Sequence, residues 1–194
     1  MQLTGKITST RPLLVLAVKE EAKFLDTGLP VLLTGMGKVN ASTALASALA
    51  GGPLPSGVIN LGTAGALRPG WTGTFPIGTV IQHDLDSETL RALTGETYGA
   101  PLIVGSPDGP TLATGDSFID DEAARARLAT TASLVDMEGY ALAAAAHQFG
   151  MPLQIVKHVS DDAAEGAAGT WREGIAACAR ALADWAAQNI SSYS

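Results

Sequence analysis

The chain is poor in the residues that announce several common kinds of protein. One cysteine, Cys178, supports no disulfide framework and no zinc pattern, and a reducing cytoplasm is the expected setting. Aromatic residues make up 5% and charged residues 16%. The core must therefore be built from Ala, Leu and Val. No apolar run approaches the roughly twenty residues that span a bilayer, and no charged segment followed by an apolar one opens the chain as a secretory signal would. Lys and Arg number 12 against 19 acidic residues, giving a net charge of −7 with no basic cluster. That argues against binding nucleic acid through its phosphates. From Thr27 to His83 there is no Asp or Glu.

What is present reads as one domain over residues 1–194, large enough to bury most of its apolar surface, with 46% hydrophobic residues. Apolar runs at Leu13–Val18, Pro30–Thr34, Gly57–Leu61, Gly78–Gln82, Thr111–Thr114, Ser133–Met137 and Leu153–Val159 are expected strands, several continuous enough to be covered on both faces. Helical periodicity predicts helices over residues 39–50, 121–129, 138–149 and 171–189, the first stopped by Gly51-Gly52-Pro53. Gly62-Thr63-Ala64-Gly65 reads as a turn, and His83–Pro110 as mostly loop with short elements. The alternation predicts an α/β fold, a three-layer sandwich around a mixed, mostly parallel sheet.

Two expected strands end abruptly in acids: Leu134-Val135-Asp136-Met137-Glu138 and His158-Val159-Ser160-Asp161-Asp162. A buried carboxylate is costly unless paired or used, and strand ends in such sheets form the ligand crevice. Gly35-Met36-Gly37-Lys38 fails both phosphate-binding signatures. Leu32 and Val39 break the P-loop pattern, while Asn40 and the missing downstream acid break the dinucleotide one. His83, His147 and His158 show no metal-ligand spacing, and no G-x-S-x-G elbow occurs.

Six segments in order, Ala17–Glu21, Gly35–Val39, Asn60–Gly65, Thr114–Ile119, Val135–Glu138 and Val159–Asp161, resemble the nucleoside phosphorylase and nucleosidase family. The likeness is greatest to its methylthioadenosine/S-adenosylhomocysteine nucleosidase branch. The resemblance implies a compact nucleoside phosphorylase-like fold and hydrolysis of the N-glycosidic bond of a purine nucleoside. It implies that Glu20 activates the attacking water and Asp161 protonates or hydrogen-bonds N7 of the departing base, oriented by Ser160. Glu138 would hold the ribose hydroxyls, with Met137 and Met36 against the substrate. Phe118 would stack on the base beside Ile119, and Thr63 would lie next to the nucleophile site. No cofactor or metal is implied. The expected partners are the nucleoside and water, and a second copy in a homodimer.

Phosphorylases of this fold hold phosphate with arginines, one of them just before the Gly-rich segment. Here Asn60 and Leu61 stand there, so hydrolysis is favoured over phosphorolysis. A phosphate-dependent phosphorylase and a binding protein without catalysis are the alternatives. Lys157 stands where the family commonly has an arginine next to the base site, and the segments 23–30 and 83–110 are shorter than usual. Asp136 and Asp162 are expected to be structural or solvent-facing, and Lys38 at the surface.

Overall fold

The computed structural model describes residues 1–190. In chain order the elements are β1 (Gln2–Thr4), β2 (Leu13–Leu16), β3 (Val31–Leu33), α1 (Lys38–Ala50), β4 (Val58–Ala66), β5 (Thr74–Pro76), β6 (Thr79–Gln82), α2 (Ser87–Thr94), β7 (Leu102–Ile103), β8 (Thr111–Thr114), α3 (Glu122–Leu128), β9 (Leu134–Asp136), α4 (Gly139–Gln148), β10 (Leu153–Asp161) and α5 (Ala167–Asn189). The ten strands form one mixed sheet in the order β1-β3-β2-β4-β9-β8-β6-β7, with β10 on β4 and β5 on β10.

Strand β2 shows why its sequence is apolar without alternation. Leu13 and Val15 pack with Ala41, Leu45 and Leu49 of α1 and with Leu142 and Ala146 of α4. Leu14 and Leu16 pack on the other face with Leu182 and Ala186 of α5. Helices thus cover both faces, the expected three layers. The many alanines of α4 let it lie close to both the sheet and α1.

The site is positioned by a change of neighbours along β4. Residues Val58–Asn60 pair in parallel with β2, whereas Gly65 and Ala66 pair antiparallel with β9. Between them β4 keeps β10 on one edge, but among the described residues no strand covers the other. The gap opens a crevice beside the carboxyl ends of β2, β9 and β10, where ligands bind in open α/β sheets.

The expected turn at Gly62–Gly65 is instead continuous strand. Its glycines serve clearance. A Cβ on Gly62 would lie 2.9 Å from Lys157 Nζ, and one on Gly65 2.9 Å from Asp161 Oδ1 and 3.0 Å from Ala163 Cβ. Within 83–110 the structure places a full helix, α2, capped by Asp86 accepting from Thr89 N and closed by Gly95 in the left-handed conformation. Strands β1 and β5 add pairing at the sheet's margins that the sequence pattern did not mark. Helix α5 begins at Ala167, earlier than its amphipathic stripe indicated. No described helix is long and apolar enough to cross a membrane.

Candidate active site

A cleft with about 540 Å³ of empty space, part of it open to solvent, lies over the gap in the sheet. Four acidic residues converge on it from three strand ends: Glu21 after β2, Asp136 and Glu138 at the end of β9, and Asp161 at the end of β10. Met36, Thr63, Phe118, Ile119, Met137 and Ser160, all expected at the site, also line it. Among the described residues no arginine or lysine lines it.

The expected catalytic Glu20 is not there. Its side chain is exposed on the outside of the first loop, while its neighbour Glu21 is 4% exposed and faces the cleft. The reason is local. Glu21 Oε2 accepts from the backbone N–H groups of Ala17 and Val18 at 3.2 and 3.4 Å, folding the loop over the end of β2. Oε1 accepts from Thr63 N at 2.8 Å and from Thr63 Oγ1 at 2.9 Å. Thr63 N lies where β4 has no neighbouring strand, so the carboxylate replaces the missing ladder partner of a buried amide. One-residue precision in a loop was beyond sequence reasoning, but the orphaned edge amide selects Glu21.

Asp161 is placed by an irregularity in β10. The register with β4 shifts between Val159 and Asp161, leaving Ser160 without a partner, a bulge that brings both side chains to the cleft. Asp161 Oδ2 accepts from Ser160 Oγ at 2.7 Å and Oδ1 from Ala163 N at 2.9 Å. Ala163 is fully buried with φ 52°, a left-handed conformation that costs an alanine about 1 kcal/mol or more and is held by its surroundings. Burial raises the Asp161 pKa above the usual carboxylate value, outweighing the Ser160 and Ala163 hydrogen bonds. A raised pKa is what an acid that donates a proton requires.

Glu138 accepts from Gly37 N at 2.8 Å, at the start of α1. The next amide, Lys38 N, donates to Asp116 Oδ1 at 2.7 Å. The open N-terminus of α1 thereby clamps loops from both sides of the cleft. Burial, then the neighbouring Asp136 carboxylate, push the Glu138 pKa up to about 7, against the opposing pull of Lys157 and the Gly37 hydrogen bond.

Under the cleft floor lies a buried ion pair, Lys157 Nζ to Asp136 Oδ2 at 2.9 Å. Asp136 also accepts from Thr114 Oγ1 at 2.6 Å and Gly139 N at 2.8 Å. Burial alone would lower the Lys157 pKa, but Asp136, Glu138 and Glu21 together raise it. Lys157 is thus a structural cation beneath the site and does not line it, contrary to the expected place next to the base. Asp136, expected to be structural or solvent-facing, is buried and paired and also lines the cleft, while Lys38 bridges Asp84 and Gln82 across the rim and is more than a surface charge. The residue missed altogether is Trp171 of α5, which lines the cleft and donates from Nε1 to Thr63 Oγ1 at 3.0 Å across 108 positions of sequence. Among the described residues no group of three or more His, Cys, Asp or Glu is arranged to hold a metal ion.

The phosphorylase superfamily model matches residues 25–108 and 108–192. The 5′-methylthioadenosine/S-adenosylhomocysteine nucleosidase of Bacillus subtilis is 32% identical over 168 residues, covering 72% of this chain and 70% of its own length. The Staphylococcus carnosus nucleosidase of the same name is 30% identical over 187 residues, covering 82% and 80%. A crystal structure of the Helicobacter pylori methylthioadenosine/S-adenosylhomocysteine nucleosidase with butyl-thio-DADMe-Immucillin-A has a TM-score of 0.80 at 20% identity, over 94% of this chain and 98% of that one. The native futalosine hydrolase of Helicobacter pylori scores 0.79 at 21% identity, over 94% and 98%. These structures, at such identity, share the fold; the closer sequence relatives carry the family. The chain belongs to the phosphorylase superfamily, on its nucleosidase branch, and is a hydrolase of N-glycosidic bonds.

Proposed function

We propose that the cleft cleaves a purine nucleoside, 5′-substituted as methylthioadenosine is, to free base and sugar. The observation that carries this reading is the convergence of Glu21, Glu138 and Asp161 on one cleft whose lining has no arginine or lysine. Breaking the bond builds positive charge on the sugar and negative charge on the base. Glu21 is placed to take a proton from water, and Asp161, with its raised pKa, to protonate the base at N7, oriented by Ser160. Ionised Glu138 accepts from the ribose hydroxyls. Met36 and Met137 flank the sugar, and Phe118 and Ile119 the base. A phosphate dianion would find no guanidinium on these walls, which supports water as the nucleophile.

Met36 and Phe118, which line the cleft, are 44% and 39% exposed, and Val39 in the first turn of α1 is exposed too. These apolar side chains support a homodimer in which a second copy covers the 5′ side. The single thiol, Cys178, supports work in the cytoplasm. The test is release of base from adenosine, inosine, methylthioadenosine and S-adenosylhomocysteine, with and without phosphate. Free sugar formed without phosphate supports the reading. Sugar 1-phosphate, formed only with phosphate, overturns it.

A further inference from the structure

The hydrogen-bond chain from Trp171 through Thr63 to Glu21 has a fixed direction. An indole N–H donates and cannot accept. Since Trp171 Nε1 gives its proton to Thr63 Oγ1 at 3.0 Å, the single hydroxyl proton of Thr63 is left for Glu21 Oε1 at 2.9 Å. The same oxygen already accepts from Thr63 N at 2.8 Å. Oε2 is held only by the longer bonds from Ala17 and Val18 at 3.2 and 3.4 Å. One carboxylate oxygen is therefore firmly anchored and the other weakly held, so the weakly held oxygen is the one that can turn to water.

Trp171 also belongs to the segment that carries the acid. Asp161 ends β10, Ala163 N donates to its Oδ1, and Gly166 caps the start of α5, in which Trp171 lies. The acid and the anchor of the base thus ride on one short stretch of chain, although Glu21 itself comes from the opposite end of the sequence.

We propose that Trp171 is a positioning residue for catalysis: its indole N–H sets the Thr63 hydroxyl as a donor to Glu21 and so fixes which carboxylate oxygen faces water. This rests on Glu21 as the base. Without the indole N–H the Thr63 proton is free to turn elsewhere, and Glu21 loses one of two anchors on Oε1. The ring's contact with substrate is a separate matter and would show in KM.

The test is a double-mutant cycle with Trp171→Phe, which keeps an aromatic ring, and Thr63→Val, which keeps strand shape and the backbone donor. Steady-state base release is read for each, with Glu21→Gln as the reference for loss of the base. Trp171→Phe should lower kcat about tenfold with KM changed less than about threefold, the loss of one hydrogen bond to a reacting group. Thr63→Val should lower kcat by about tenfold or more, and adding Trp171→Phe to it should cost less than about twofold further. Thr63→Ser, which restores the hydroxyl, should stay within about threefold of the parent and covers the case in which Trp171→Phe folds poorly. Additive losses in the cycle, or a Trp171→Phe effect confined to KM, overturn the proposal. Glu21→Gln with normal kcat would instead overturn the assignment of the base.

Discussion

Replacing Glu138 with Gln should change how stability depends on pH, by an amount set by its surroundings. Glu138 is 7% exposed, and burial with the Asp136 charge moves its pKa from 4.5 to about 7. The folded protein then holds this proton more tightly than the unfolded chain. Its contribution is fully present below pH 4.5 and is lost as pH rises through 7. The full difference is about 3 kcal/mol. Gln keeps the shape and still accepts from Gly37 N but has no proton to lose. Urea unfolding followed by tryptophan fluorescence, at pH 5 and pH 8, gives the four stabilities needed. Glu138→Gln should be favoured relative to the parent by about 2–3 kcal/mol more at pH 8 than at pH 5. A difference between the two proteins that is the same at both pH values would refute the reasoning.

Three further outcomes follow from the same geometry. KM should rise as pH falls below about 7, because protonated Glu138 has lost an acceptor for the ribose hydroxyls; a KM flat from pH 8 to pH 6 contradicts this. Asp161→Asn should cut kcat by about 10²–10⁴-fold with an unchanged far-ultraviolet circular dichroism spectrum, since the amide oxygen can keep the bond from Ala163 N and the NH2 can donate to Ser160 Oγ, while the amide cannot protonate the base. Lys157→Met should lower stability by about 3–5 kcal/mol in urea unfolding, because it leaves Asp136 buried without its cation.

Most of the architecture was legible because it follows from runs of residues. Leu13–Leu16 is apolar at every position, which only a strand covered on both faces requires, and the alanines of α4 mark a helix packed at close range. The acids at the ends of β9 and β10 stood out for the same reason: an apolar run that stops in a carboxylate has few physical explanations.

The errors sit where tertiary contacts outweigh local pattern. Gly62 and Gly65 carry a turn signal, yet they are glycine because Lys157 and Asp161 occupy the space of their side chains. Glu20 and Glu21 are equivalent as composition; the free edge of β4, created by a change of strand partner, decides between them. Trp171 reaches Thr63 across most of the chain and left no local signal. Strands β1 and β5 are three residues each, too short for any periodicity to show.

The central claim is that Glu21, anchored on the open edge of β4, is the base of an N-glycosidic hydrolase. The most direct measurement is single-turnover release of base from methylthioadenosine in phosphate-free buffer by the parent, Glu21→Gln and Glu20→Gln. The account predicts a loss of about 10²-fold or more for Glu21→Gln and a rate within about twofold of the parent for Glu20→Gln. A normal rate for Glu21→Gln, or the large loss at Glu20 instead, would contradict it.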